Sequence, residues 1–125
     1  MTTFGAWAAV ALTIALTIFG QIVIKIRVLH AGPMGDDLGA KLHFLSLLLR
    51  DPWVISGYVG ALLASFAWMT AMTRLQLSTA YPFTSLAFII VVGISGIYLG
   101  ERIQPIQLIG TALVILGLVM VAAGS

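Results

Sequence analysis

The sequence predicts an all-α integral membrane protein: a four-transmembrane-helix bundle with a short interfacial helix in the first connection. Three observations lead there. Hydrophobic residues make up 61% of the 125-residue chain and charged residues 8%, against roughly 25% charged in an ordinary soluble domain, and the mean hydropathy is +1.14. Four apolar stretches approach the ~20 residues that a bilayer core requires. Pro52, Pro82 and Pro105 stand at or just inside the starts of the last three, where a missing N–H costs least and a fixed φ suits a first helical turn. A soluble domain this small could not hide so much apolar surface.

The spans form a single membrane domain, residues 1–125. The first is expected over Phe4–Ile26. It lacks preceding basic residues and is too long for the apolar core of a cleaved signal peptide, so it reads as a retained span. The connection after it is the only long one. Its first part, HAGPMGDDLG, is a turn-rich loop. AKLHFLSLLLRDP follows, with Leu38, Leu42, Leu45 and Leu49 at three- and four-residue spacing. This reads as a helix lying along the membrane surface, with Lys41 and Arg50 near its ends; an early extension of span two is the alternative, against which Pro52 argues. The remaining spans are expected over Trp53–Thr73, Tyr81–Leu99 and Ile106–Ala123, as antiparallel neighbours across short connections. Trp7, Trp53, Tyr81 and Tyr98 fall near span ends, at the level of the lipid headgroups.

Charge sets direction. Lys25, Arg27, Lys41, Arg50 and Arg102 lie in the first and third connections, and Arg74 lies in the second. By the positive-inside rule both termini should face away from the cytoplasm.

Several function classes drop out. Without cysteine there is no thiol catalysis, disulfide or thiolate metal site. His30 and His43 have no second ligand at helical spacing, so no metal is expected, and no cofactor. A chain lacking a basic patch with stacking aromatics is not expected to bind nucleic acid, and no nucleophile–base pair suggests an enzyme. No acidic residue lies within any expected span, so the ionisable carboxylate that a proton-coupled carrier normally places at membrane depth is missing.

Polar side chains remain to be explained. Thr13, Thr17, Gln21 and Lys25 recur every four residues on span one, which puts them on one face. The plainer reading is that the threonines bond their own i−4 carbonyls and Lys25 snorkels to headgroups; Gln21 needs a partner outside its own helix. Gly57, Ala61, Ala64, Ser65 and Ala71 surround Trp68 on span two as a close-packing surface. At the start of span three, Ser78 or Thr79 is expected to cap a helix begun by Pro82. Tyr81, Ser85 and Phe88 then share a face with Thr84 alongside, either as a groove wall or as a capped start with Ser85 at a helix contact. Gly96 and Gly100, and Gly110 and Gly117, are spaced for helix packing within or between protomers.

GQIVIK (Gly20 to Lys25), STAYPFTSLAF (Ser78 to Phe88) and LGERIQPIQLIG (Leu99 to Gly110) together resemble the four-helix members of the drug/metabolite transporter superfamily, small multidrug resistance-like and EamA-like. The resemblance covers nearly the whole chain. Two branches are candidates: the small multidrug resistance antiporters, and the paired subunits that flip 4-amino-4-deoxy-L-arabinose-phosphoundecaprenol across the bacterial inner membrane. The multidrug branch carries a glutamate eight residues before the lysine ending span one, where this chain has Thr17. It also has an aromatic where this chain has Thr84. The flippase subunits are the better match.

That resemblance implies a transporter or flippase subunit for a lipid-linked sugar, embedded among membrane lipids. Substrate-lining residues would be Thr13, Thr17, Gln21, Lys25, Trp68, Arg74, Tyr81, Thr84, Ser85 and Glu101. Lys25 and Arg74 would hold a phosphate at opposite faces, or merely anchor to anionic lipid; Glu101 would pair Lys25 or fix the turn after span three. The alternatives are an exporter of cations or small polar metabolites and a non-transporting scaffold. The charge bias disfavours an antiparallel homodimer. A parallel pair, or a heterodimer with an oppositely oriented small relative, fits it.

Overall fold

The computed structural model describes residues 3–124. Its elements are α1 (Thr3–Ala31), α2 (Leu38–Leu49), α3 (Pro52–Ala71), α4 (Leu77–Ala80), a 3-10 turn (Tyr81–Thr84), α5 (Ser85–Ile97) and α6 (Pro105–Ala123). Four helical stretches are long and apolar enough to cross a membrane, namely α1, α3, the continuous Leu77–Ile97 stretch and α6. The protein is a multi-pass membrane protein.

Two boundaries differ from the sequence expectation in informative ways. Helix α1 continues past Ile26 to Ala31; its 29 residues reach roughly 43 Å at ~1.5 Å each, well beyond a ~30 Å hydrocarbon core. Span three begins at Leu77, with Gln76 as its N-cap, so Pro82 lies inside the span and Ser78 and Thr79 do not cap it. The reason is local. Proline has no N–H for the carbonyl one turn back, and here the chain answers by tightening into a 3-10 turn without terminating. The hydroxyls of Thr84 and Ser85 then donate to the carbonyls of Tyr81 and Pro82, each at 2.6 Å. They add side-chain donors to two carbonyls of the turn itself; the carbonyl that the missing proline N–H would have met is that of Ser78, one turn earlier.

At Pro52 and Pro105 the expectation holds: both open their helices. Asp51 is extended before Pro52 (φ −72°, ψ 124°), the conformation a residue before proline prefers. This separates α2 from α3. Asp37 caps α2 by accepting from the Ala40 amide at 2.8 Å. Leu48 of α2 is buried, whereas Leu38, Leu42, Leu45 and Leu49 are exposed, a stripe suited to a bilayer surface.

Asp51 does two jobs. It accepts from the Trp53 amide at 2.9 Å, and its other carboxylate oxygen receives Arg27 Nε at 2.6 Å, tying the end of α1 to the start of α3. The Arg27 hydrogen bond, aided by the Trp53 amide and opposed by partial desolvation, holds this carboxyl below its ordinary value of 3.8. A lowered folded-state value means stabilisation that is fully present above the unfolded value and lost as pH falls through the folded one. Wild-type protein is therefore expected to lose stability on acidification below about pH 4. Asp51→Asn keeps a competent N-cap and should lack this step; detergent melts of both proteins at pH 7 and pH 3 check it.

Helices α1 and α3 form the closest pair. A Cβ built on Gly20 would stand 3.1 Å from the Gly57 carbonyl oxygen, and one on Gly60 would stand 3.2 Å from the Phe19 ring. In lipid, helices gain little from hiding apolar side chains and associate where small residues let backbones approach. Toward the other end of this pair, Val10, Ile14, Ala71 and Ala80 are buried, with Trp7, Trp68 and Phe83 packed around them. Trp7 meets Phe83 edge-on at 4.9 Å between ring centroids. Helix α5 buries no residue and α6 buries only Leu118.

Of the four glycines expected at helix contacts within or between protomers, none meets another helix of this protomer. Gly100 follows α5 with φ +67° and turns the chain toward α6, a conformation that favours glycine. Gly96 faces Ile103, and Gly110 and Gly117 have open space around them within this protomer.

Candidate functional site

Thr13, Thr17 and Gln21 of α1 line a groove of about 510 Å³ against α3, which contributes Tyr58, Ser65 and Trp68, with Gly20 and Gly57 along its floor. The close glycine approach is what lets the polar stripe of α1 sit directly over α3. Thr13 is buried; its hydroxyl donates to Ala9 at 2.9 Å, with the Ala64 carbonyl of α3 also in reach at 3.3 Å. Thr17 donates to the Thr13 carbonyl at 2.7 Å, and Ser65 to the Ala61 carbonyl at 3.1 Å. The donor hydrogens of these groups are thus committed to backbone, and their oxygens are left as acceptors.

Gln21 differs. Its side chain is exposed at the groove, and no protein group among the described residues bonds its amide. An amide in hydrocarbon without a partner costs about 1–3 kcal/mol by protein measurements. The two donor and two acceptor positions it presents are therefore open to a ligand or water.

Trp68 joins this groove to a second. Trp68, Leu77, Ser78, Tyr81 and Pro82 line a further depression of about 610 Å³, and the Trp68 and Tyr81 rings meet edge-on at 6.2 Å between centroids. The structure so brings Thr13, Thr17, Gln21, Trp68 and Tyr81 along one path. Thr84 and Ser85 line neither depression; their hydroxyls are turned onto backbone.

Ions mark the two ends. Lys25, one turn beyond Gln21, pairs with Glu101 after α5 at 3.2 Å. Successive four-residue steps advance 40° around a 3.6-residue helix, so the polar stripe winds from the α3 side at Thr13 toward the α5 side at Lys25. Arg74 is exposed in the connection after α3, at the opposite end because α3 runs back against α1. No Asp or Glu lies within the four spans, and no metal-binding cluster occurs among the described residues. Sequence reasoning missed Tyr58 as a groove residue and missed the Arg27–Asp51 pair. A tyrosine inside an apolar span was the available signal for the first; nothing local announced the second.

A path with hydrogen-bonding groups set against apolar walls and no buried acid suits carriage of a polar group through lipid. Comparison with known proteins agrees. The chain is 27% identical over 118 residues to a probable 4-amino-4-deoxy-L-arabinose-phosphoundecaprenol flippase subunit ArnF of Klebsiella pneumoniae, covering 92% of this chain and 91% of that one. It is 25% identical over 108 residues to a probable subunit ArnE of the same flippase from Pseudomonas paraeruginosa, covering 86% and 89%. It is 28% identical over 113 residues to a probable ArnF of Sodalis glossinidius, covering 87% and 84%. No solved structure matches the chain significantly. The model of the EamA-like transporter family matches residues 1–123, and with four membrane-crossing helices bearing an acid-free polar groove, the chain belongs to that family.

Proposed function

We propose that the protein is a subunit of a flippase that moves a lipid-linked sugar, of the undecaprenyl phosphate type, across the bacterial inner membrane. The Gln21 amide, held without a protein partner in a groove at membrane depth, carries the reading. The sugar head would travel past Gln21, Trp68 and Tyr81 while the prenyl tail stays in the bilayer. The protein then needs only to lower the cost of drawing a polar head through hydrocarbon. Lys25 and Arg74, at opposite ends of the path, would receive the phosphate before and after transfer; arginine offers a planar fork and lysine a point charge.

The names of the relatives, each a flippase subunit, support a heteromeric assembly. With positive charge concentrated at one end of this chain, we place both termini outside the cytoplasm and expect a small partner of opposite bias. A cation exporter is the second reading, favoured by the Trp68–Tyr81 ring pair, whose faces could attract a quaternary ammonium ion.

Reconstitution in liposomes separates the two, with the partner subunit supplied in a parallel sample. Translocation of a fluorescent undecaprenyl-linked amino sugar without proton flux is the expected result. Proton-coupled uptake of a quaternary ammonium compound, with no lipid translocation in either sample, would overturn the proposal.

A further inference from the structure

The Lys25–Glu101 pair has features of a lock that opens for its ligand. It joins α1 to the α5–α6 connection, its partners are 3.2 Å apart, and their side chains remain 45% and 42% exposed. An ion pair this open contributes little to stability, so separating it costs little. Lys25 stands one turn beyond the Gln21 amide of the main groove. On its other side Glu101 walls a smaller cleft of about 210 Å³ between α5 and α6, where Ser95, Arg102 and Gln107 stand among Phe88, Val91, Val92 and Ile103. A cation and an anion therefore meet one turn beyond the groove, beside a cleft that carries a few polar groups on apolar walls.

We infer that Glu101 is a specificity-determining residue: the Lys25–Glu101 pair parts to receive a headgroup carrying both charges, its phosphate on Lys25 and a sugar amine on Glu101. This rests on the lipid-flippase reading above. The charge logic selects among lipids. A head with phosphate alone takes Lys25 and leaves Glu101 facing a second anion, which is repulsive. An added amine replaces the contact Glu101 has given up, so both poles of the broken pair are matched. Discrimination thus comes from a penalty against the singly charged head as well as from attraction to the doubly charged one. Ser95 and Gln107 lie where hydroxyls of the same sugar could be met.

The test uses the chain in nanodiscs and two short-chain prenyl phosphodiester sugars that differ only in an amine or a hydroxyl on the ring. Binding is read by tryptophan fluorescence. Wild-type protein is expected to prefer the amine by roughly fivefold, the most that an exposed ion contact usually supplies. Glu101→Gln should erase the preference, tightening the hydroxyl sugar as the repulsion is relieved, and Lys25→Gln should weaken both ligands. Equal wild-type affinities, or a preference that survives Glu101→Gln, would overturn the inference and leave the flippase reading standing. Failure of wild-type protein to bind either sugar lipid, both alone and with the partner subunit supplied in parallel, would overturn both. The wild-type comparison decides the matter even if a variant misfolds.

Discussion

Gly20→Leu is expected to be the most damaging single substitution in the α1–α3 pair. A Cβ at this position meets the Gly57 carbonyl oxygen at 3.1 Å, and that atom is backbone, unable to rotate away as a side chain would. Accommodating leucine means pushing α1 off α3. Every contact along the interface then weakens together, including the Thr13 hydroxyl's approach to the Ala64 carbonyl. Overpacking of this kind costs about 1–3 kcal/mol, sometimes more. In lipid no hydrophobic gain offsets the separation, because the exposed faces are solvated by acyl chains as well as by each other. Gly117→Leu is the control: nothing stands within 4 Å of a Cβ there, and a change of no more than ~0.5 kcal/mol within the protomer is expected. Unfolding by SDS titration measures both. Equal stability of the two variants would refute the assignment of α1–α3 as the close pair.

Gln21→Leu should do the opposite, sparing the fold and stopping transport. The side chain lines the groove and is exposed, so leucine fills similar space without forcing α1 and α3 apart. Removing an unpaired amide from hydrocarbon should leave stability unchanged or slightly raised. For a passing sugar head the loss is larger. One hydrogen-bonding station at membrane depth disappears, and an unmet polar group costs about 1–3 kcal/mol. If that cost falls on the barrier, translocation slows by roughly ten- to a hundredfold. Liposome translocation assays alongside SDS titration check both halves. Wild-type transport by Gln21→Leu would remove the main support for the groove, whereas lost transport with lost stability would point to a packing role instead.

Much of this was legible from the residues. Span number and approximate extent follow from apolar run length, and the starts at Pro52 and Pro105 follow from proline's missing donor. The i, i+4 recurrence places Thr13, Thr17 and Gln21 on one face, and pairing with Lys25 is one of the two roles the sequence offers Glu101. Other features were hidden. Pro82 looked like a helix start because a proline inside a helix is costly. Here Leu77–Ala80 precedes it as helix, and the chain passes the proline by tightening into the 3-10 turn Tyr81–Thr84 and continuing as α5. Glycine spacing singles out Gly96, Gly100, Gly110 and Gly117, whereas within this protomer the close helix contact is made at Gly20, Gly57 and Gly60. Spacing within one helix says that a smooth face exists, not which helix meets it.

What the chain determined by itself is its placement in the membrane: which segments enter, where prolines and aromatic rings mark their ends, and that no carboxylate goes with them. These depend on the transfer free energy of each residue, which is a local quantity. The tertiary structure decided how each helix is rotated about its axis, and so which polar groups share the groove and which turn back onto backbone. Lipid supplies no hydrophobic gradient to choose that rotation. Shape decides it, through the few places where two backbones can come within van der Waals contact.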